Sequence, residues 1–372
     1  MKTTHHPLLS TYLGTQREIV SFHYGAAGTG EKVYIQASLH ADEQPGMLVA
    51  HHLRMRLAML ETEGKIRGEI VVVPVANPLG LSQTLLHSQV GRFEIATGEN
   101  FNRHYPAMVP RIVADLEPTL SADENANKLA VRRAMQNALE ADQPKTELQS
   151  MRHTLMRLAC NADVVLDLHC DTDAVLHLYT GTPLWLQCEP LARYLGAYAT
   201  LLATESGDHP FDEACSQTWW LLADHFKNRF PIPMACLSVT VELRGQADVH
   251  HDNATRDAEG ILAFLCHRGV IDETAPPMPP LKYAATPLAG SETIESPVSG
   301  VVAFLKNTGD WIESGDTIAE VIDPISGAVC TLTATAAGVL YARENRYFAT
   351  AGMRLAKVAG KNAFRTGKLL SA

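Results

Sequence analysis

Short apolar runs alternate with segments of helical periodicity over most of the chain. Runs rich in β-branched residues predict buried strands, and apolar residues spaced three and four apart predict helices. Strands are predicted at 33–37, 70–75, 163–168, 175–179, 200–203 and 236–243. Helices are predicted at 47–60, 111–142, 146–160 and 184–195 and around 219–222. This order predicts an α/β fold with a mixed, largely parallel sheet flanked by helices.

Two parts of this region lack a clear period. Residues 1–30 are predicted to be an entry segment with turns at Gly25, Gly28 and Gly30. The stretch 81–110 has little periodicity but many charged and aromatic residues. Long irregular segments in compact domains are usually functional or disordered. The charged and aromatic content favours a functional segment.

The pattern changes after a proline-rich stretch. The segment 274–280 holds four prolines and cannot form a helix or a central strand. We therefore predict a catalytic domain at 1–273, a linker at 274–284 and a small all-β barrel-sandwich domain at 285–372, where glycine turns separate short strands. The last part resembles a biotinyl or lipoyl carrier domain, but its turn at 322–327 lacks the lysine that such carriers modify. We expect it to carry no attached cofactor and to cap the active site or form a subunit contact.

Composition limits the classes of molecule that this protein is expected to bind. The chain of 372 residues is 46% apolar and has a net charge of −10, which argues against nucleic acid or an anionic membrane as a partner. No apolar run approaches the roughly 20 residues of a membrane span, and residues 1–7 do not resemble a signal peptide, so a cytoplasmic location is expected. The seven cysteines form no Cys-x-x-Cys pair and are expected to be reduced thiols.

Candidate chemistry lies where predicted strands end. His40 and Glu43 follow the first strand, His169 ends another, and Glu242 ends a third. A histidine leaving a strand and a glutamate three residues later can turn toward one point, where α/β proteins bind ligands or metals. A lone His-x-x-Glu pair occurs often by chance and is usually structural. The three strand ends together favour a functional site.

These residues, together with Asn102-Arg103, resemble the zinc carboxypeptidase-like fold. Within that fold they are most similar to the succinylglutamate desuccinylase and aspartoacylase family, over residues 30–265. The resemblance implies one Zn²⁺ per chain, held by His40, Glu43 and His169, with a fourth position open for water. Zinc would lower the pKa of that water and polarise the substrate carbonyl.

The resemblance also implies roles for residues around the metal. Glu242 matches the general base of the family, and an ion pair with Arg244 is the alternative. Asn102 and Arg103 match a clamp for a substrate carboxylate, and the alternative for Arg103 is an ion pair with a surface acid. Arg244 is also assigned to substrate binding.

The chain departs from the family at one position. Members commonly carry an arginine three residues before the asparagine, where it would polarise the scissile carbonyl, but this chain has Glu99. Arg92 is the nearest candidate to replace it. Tyr105 is a candidate for the pocket wall. Asp167 is expected to orient His169, with a buried structural hydrogen bond as the alternative.

The expected function is a zinc-dependent amidohydrolase that removes a succinyl, acetyl or similar group from a small amino-acid derivative bearing a carboxylate. The alternatives are a metallocarboxypeptidase acting on peptides and a non-catalytic carboxylate-binding protein. The expected partner is the small-molecule substrate, with no nucleic acid and no membrane, and assembly into a homo-oligomer is left open.

Overall fold

The structure, a computed structural model, describes residues 1–10 and 12–370. Strands and helices alternate through its first part. In chain order they are β1 (Lys2–Pro7), β2 (Glu18–Gly25), β3 (Lys32–Ala37), α1 (Pro45–Thr62), β4 (Glu69–Val73), α2 (Pro78–Leu81), β5 (Thr84–Leu85), β6 (Ser88–Gln89), α3 (Val109–Leu116), α4 (Glu124–Glu140), α5 (Glu147–Ala159), β7 (Val164–Asp171), β8 (Asp173–Ala174), β9 (His177–Gly181), α6 (Trp185–Leu195), β10 (Ala199–Ala203), α7 (Phe211–His225), β11 (Leu237–Gly245) and α8 (His251–His267). Short 3-10 turns follow α3 and precede α6.

The large sheet is mixed and largely parallel, as predicted. Its strand order is β1-β2-β4-β3-β7-β11-β9-β10-β12, with β12 arriving from the C-terminal part of the chain. The central strands β4, β3, β7 and β11 run parallel to one another. Val33 and Ile35 of β3 belong to the core under α1, α6 and α8, whereas Tyr34 belongs to the core under α3, α4, α5 and α7. The sheet is therefore covered by helices on both faces, as parallel sheets usually are.

The turn region predicted at residues 25–30 is present, but the prediction for residues 1–30 missed two strands. Two antiparallel strands, β1 and β2, form there and extend the sheet beyond β4. The sequence of β1, KTTHHP, is polar and largely exposed, so it lacks the apolar pattern by which strands are found. An edge strand can nevertheless form, because the backbone of β2 supplies its hydrogen bonds. The other predicted strands and helices are present at or near their predicted positions, except that the single helix predicted at 111–142 is divided into α3 and α4 by a 3-10 turn and residues 120–123.

Between His267 and Thr286 the chain has no helix or strand, and antiparallel strands follow. They are β12 (Thr286–Pro287), β13 (Ser291–Glu295), β14 (Gly300–Phe304), β15 (Trp311–Ile312), β16 (Thr317–Ile322), β17 (Val329–Thr333), β18 (Gly338–Arg343), β19 (Phe348–Ala349) and β20 (Arg354–Gly360). β12 joins the large sheet in parallel with β10, and the other strands form two antiparallel sheets, β13-β20-β18-β15 and β17-β16-β14-β19, around a core of their own. Closure into a barrel, and the domain boundaries, stay predictions.

The C-terminal part of the chain pairs with strands of the first part at two points. β12 pairs with β10, and β8 pairs with β18. The second contact lies directly after His169, so it brings the C-terminal sheet to the edge where the candidate site forms. All seven cysteines are unpaired, and five of them are buried. Within the described part of the chain, no helix is both long and apolar enough to cross a membrane.

Candidate active site

The site begins where β3 gives way to α1. Ser38 has a φ of 65°, which turns the chain out of the strand and leaves His40 and Glu43 in the turn before Pro45 starts the helix. Gly46 then lets α1 approach β7, because a Cβ there would lie 2.9 Å from the carbonyl oxygen of Leu168. This close approach carries Glu43 to the end of β7.

His40, Glu43 and His169 meet in a buried group. The Oε1 atom of Glu43 lies 2.9 Å from Nδ1 of His40, and its Oε2 atom lies 2.8 Å from Nδ1 of His169. The candidate ligand atoms lie within 4.8 Å of one another, and none of the three residues is more than 3% exposed. Two imidazoles and a carboxylate form a donor set that can hold a divalent metal.

The outer nitrogens of both histidines have their own partners. Nε2 of His40 forms a hydrogen bond of 2.9 Å with Oδ1 of Asn100, and Nε2 of His169 lies at ion-pair distance, 2.9 Å, from Oδ2 of Asp167 but without hydrogen-bond geometry. Gln36 in turn donates to the other oxygen of Asp167 at 2.9 Å. The nearby oxygens of Asn100 and Asp167 favour the Nε2–H tautomer of each ring, which leaves the Nδ1 lone pairs for a metal. The sequence had singled out Asp167 but not Asn100.

Charges within the group act differently on the two histidines. Burial, and then the nearby Arg92, lower the pKa of His40 to about 4, so its ring is neutral at pH 7. Burial opposes ionisation of Glu43, but His40 and His169 lower its pKa well below the usual range. Burial also opposes charge on His169, yet Asp167 and Glu43 raise its pKa well above the usual range. His169 therefore carries a proton that a metal would displace.

Glu242 lies in β11 in register with His169 in the parallel strand β7. Both residues line the same pocket. The buried Oε2 atom of Glu242 has no hydrogen-bond partner among the described residues. Burial, and then the negative charge of Glu43, raise the pKa of Glu242 to about 8. A carboxyl with a pKa near neutrality is suited to accepting and releasing a proton.

Arg92 reaches the metal-ligand group from the irregular segment. Gly91 packs so closely that a Cβ would lie 2.3 Å from the backbone nitrogen of Asp42. The guanidinium of Arg92 donates to Oε1 of Glu43 at 3.1 Å and lies 3.3 Å from Nδ1 of His40. Glu99, by contrast, accepts a hydrogen bond from Arg152 at 2.7 Å and is not part of this pocket wall.

Asn102 and Arg103 line the pocket beside these residues. The Oδ1 atom of Asn102 accepts a hydrogen bond of 2.8 Å from the backbone nitrogen of Phe211, at the start of α7. Arg103 is only 5% exposed, and its guanidinium donates to the carbonyl oxygen of Asn102 at 2.7 Å. The two side chains thus present amide and guanidinium donors to one buried wall.

The structure does not bring Arg244 or Tyr105 into this wall. Arg244 has a φ of 68°, at a register shift in β11, and its guanidinium donates to both oxygens of Asp257 at 2.9 and 2.5 Å. Tyr105 is 2% exposed and packs in the core against Phe211, with ring centroids 5.1 Å apart. The alternation of side chains along β11 could not predict where Arg244 points, because the strand is irregular there. The sequence of the loop around Tyr105 could not predict that its ring packs in the core.

Other residues of the pocket were missed by the sequence. Lys357 of β20 extends into it and pairs with Asp171 at 2.6 Å. Lys357 and Asp171 hold opposite charges beside the base, and the pKa of Asp171 falls to about 2 because Lys357 outweighs the effect of burial. Asp212 and Glu213, in the first turn of α7, form another part of the wall.

Comparison with known proteins agrees with this geometry. Residues 29–268 match the model of the succinylglutamate desuccinylase/aspartoacylase catalytic domain. The structure is similar to that of a family protein from Shewanella amazonensis SB2B, with a TM-score of 0.87, 28% identity, and coverage of 97% of this chain and 99% of that chain. A family protein from Shewanella frigidimarina NCIMB 400 gives a TM-score of 0.86 at 24% identity, covering 96% and 97% of the two chains.

A more distant similarity is to the ectoine utilization protein EutE (DoeB) from Ruegeria pomeroyi, with a TM-score of 0.70, 16% identity, and coverage of 96% and 95%. No curated protein matches the chain. Members of the matching family are deacylating hydrolases that act on small N-acyl amino acids. The chain belongs to the succinylglutamate desuccinylase/aspartoacylase family.

Proposed function

We propose that this protein is a zinc-dependent amidohydrolase that removes an N-acyl group, such as succinyl or acetyl, from a small amino-acid derivative. The observation that carries the proposal is the register of Glu242 with His169. The register brings Glu242, whose buried Oε2 atom has no hydrogen-bond partner among the described residues, beside a His-Glu-His group in which both Nδ1 atoms contact Glu43.

The proposed ligands are Nδ1 of His40, the carboxylate of Glu43 and Nδ1 of His169. When bound, zinc would supply a Lewis acid for the scissile carbonyl and would lower the pKa of a water molecule. Asn100 and Asp167 would hold the two rings in place through their Nε2 atoms. The donor set fits zinc, although imidazole and carboxylate ligands also suit other divalent metals.

The remaining steps belong to the chain's own residues. Glu242 would accept a proton from the attacking water and pass it to the nitrogen of the leaving amine. Arg92, beside Glu43, would stabilise negative charge that develops on the carbonyl oxygen. Asn102 and Arg103 would bind the carboxylate of the amino-acid part and orient the amide bond. A cytoplasmic location and assembly into a homo-oligomer stay predictions.

The test is release of amine from a panel of N-acetyl, N-succinyl and N-formyl amino acids by zinc-loaded protein. The Glu242→Gln variant, loaded in the same way, is the comparison, because glutamine keeps the shape but cannot accept the proton. We expect release by the wild type and a loss of about 10²–10⁴-fold in kcat in the variant. Cleavage of C-terminal residues from peptides would instead support a metallocarboxypeptidase. Binding of the panel without release would support a carboxylate-binding protein.

A further inference from the structure

The pocket extends past Glu242 to a wall that the proposed chemistry does not use. Ser206, which follows β10, and Asp212 and Glu213, in the first turn of α7, line this part of the pocket. Asp212 is 8% exposed and Glu213 is 7% exposed. We call these three residues the acidic wall. Two buried carboxyls at the edge of a substrate pocket need a charge partner or a donor.

Two buried oxygens of the acidic wall lack hydrogen-bond partners among the described residues. The backbone nitrogen of Ser206 donates to Oε1 of Glu213 at 2.7 Å. The Oε2 atom of Glu213 and the Oγ atom of Ser206 are buried, and neither has a hydrogen-bond partner among residues 1–10 and 12–370. Burial, and then the charge of Glu213, raise the pKa of Asp212 to about 7, and burial raises the pKa of Glu213 despite its bonds to Ser206. A cation bound by Asp212 and Glu213 would lower both pKa values again, because it favours the ionised carboxylates.

Backbone contacts fix the acidic wall against the carboxylate clamp. The backbone nitrogen of His104 donates to the carbonyl oxygen of Asp208 at 2.8 Å, and the backbone nitrogen of Tyr105 donates to the carbonyl oxygen of His209 at 3.1 Å. Phe211, next to Asp212, donates to the side chain of Asn102 at 2.8 Å. These bonds join the segment after β10 to residues 102–105. The pocket is therefore built with cationic and anionic groups in adjoining parts of one wall.

The charges do not balance within this region. Arg103 lies close enough to Asp208, Asp212 and Glu213 for all three to affect its pKa. Asp208 is also paired with Lys368 at 2.7 Å. The charge of Arg103 is therefore shared among Asp208, Asp212 and Glu213, and the acidic wall itself contains two carboxyls and no cationic side chain. Negative residues in the first turn of a helix are favoured by its dipole, but that preference does not account for the orphaned oxygens.

We propose that the acidic wall is a subsite for a cationic group on the side chain of the substrate. The substrate would then be a zwitterion, an N-acyl derivative of a basic amino acid. Its carboxylate would bind Asn102 and Arg103, and its side-chain ammonium would donate to Glu213, Asp212 and Ser206. An ammonium has three N–H donors and no acceptor, which complements a wall of oxygen acceptors. This inference rests on the proposed amidohydrolase function.

The experiment compares an isosteric substrate pair. Nα-acyl-ornithine and Nα-acyl-norleucine differ by an ammonium in place of a terminal methyl group, and Nα-acyl-glutamate adds an anionic side chain. We expect kcat/KM for the ornithine derivative to exceed that for the norleucine derivative by about 100-fold, in both the acetyl and the succinyl series. In Glu213→Gln and Asp212→Asn the ratio should fall toward one, mainly through a higher KM for the cationic substrate. Asp224→Asn, at the exposed far end of α7, is the matched control and should keep the ratio.

A binding measurement separates this inference from the function on which it rests. Calorimetry with the Glu242→Gln variant measures affinity for the same compounds without turnover. Hydrolysis of all three substrates with equal kcat/KM would overturn the acidic wall as a cation subsite and leave the hydrolase intact. No hydrolysis, with ornithine derivatives bound more tightly than norleucine derivatives, would support the subsite and overturn the hydrolase. Equal affinities in that variant would overturn the subsite whatever the activity.

Discussion

Glu242 and His169 lie opposite each other in the neighbouring parallel strands β11 and β7, so their side chains project from the same face of the sheet. The backbone register that positions the proposed metal ligand His169 therefore also positions the proposed base. The length of the Glu242 side chain then contributes to its distance from the proposed metal site.

Glu242→Asp tests that dependence. The substitution keeps the carboxyl but withdraws it by one methylene, and a displacement of about 1 Å can cost about 10²-fold in rate. We expect kcat to fall by about that factor while the metal content is unchanged, because Glu242 is not a proposed ligand. Steady-state kinetics and metal analysis measure the two quantities. Glu259→Asp, an exposed glutamate on α8, is the control. Loss of metal from Glu242→Asp would show that Glu242 is a ligand instead.

Asn100 should determine metal affinity without touching the metal. Its Oδ1 atom accepts from Nε2 of His40 and also from the backbone nitrogen of Asn102. Asn100→Ala removes the acceptor that fixes the ring, and we expect the metal to bind about 10–100-fold more weakly. Competition with a chromogenic chelator measures this. Asn125→Ala, at an exposed position of α4, should leave the affinity unchanged. An unchanged affinity in Asn100→Ala would mean that the ring is held by packing alone.

Arg103 and Arg244 should respond differently to the same substitution. Lysine keeps the charge but loses the planar fork that binds a carboxylate with two hydrogen bonds. For Arg103→Lys we expect KM for an N-acyl amino acid to rise by about tenfold or more, because one charge-assisted bond is lost. For Arg244→Lys we expect KM to stay within about twofold, since Asp257 holds that guanidinium away from the pocket. A rise in KM for Arg244→Lys alone would restore its predicted role in substrate binding.

The convergence of His40, Glu43 and His169 could be predicted from the sequence because parallel strands end at a common edge. Once the runs before His40, His169 and Glu242 are taken as parallel strands, their ends must converge. Asn100 could not be found in this way, because its position depends on the path of an irregular segment. Lys357 and Asp171 are separated by 186 positions, and only the packing of β18 and β20 against β8 brings them together. The burial of Asp212 and Glu213 could not be predicted from the sequence either, because acidic residues are usually exposed to solvent.

Lys357→Met should show how the C-terminal strands support the site. The variant leaves the carboxylate of Asp171, which is 16% exposed, without its cation. An unpaired buried charge is unfavourable, and because Lys357 is partly exposed we expect a cost of about 1–3 kcal/mol in the free energy of unfolding. Urea denaturation of the metal-free protein measures this, with Lys361→Met as the exposed control. Adding Asp171→Asn to Lys357→Met should recover part of the lost free energy of unfolding. If the loss in the double variant equals the sum of the losses in the two single variants, the two residues are not coupled.

Asp163 should make the free energy of unfolding depend on pH. It directly precedes β7 and lies at the end of that strand opposite to His169. Its carboxylate accepts from Lys128 at 2.5 Å, from Arg132 at 2.9 Å and from the backbone nitrogen of Lys32 at 2.9 Å. Burial opposes the ionised form, but these donors lower the pKa of Asp163 below its usual value. A lowered pKa in the folded state stabilises the protein above the unfolded value of about 3.9, and this stabilisation disappears as pH falls through the folded value.

We therefore expect Asp163→Asn to lower the free energy of unfolding by about 1–3 kcal/mol at pH 7, because two cations lose a charged acceptor. The difference between wild type and variant should persist at pH 5 and shrink below about pH 4. Urea midpoints measured with a chelator present remove any contribution from metal loss. Asp115→Asn, an exposed aspartate on α3, should not change the midpoint at any of these pH values. A difference that stays constant below pH 4 would mean that Asp163 acts by shape and hydrogen bonding, not by its charge.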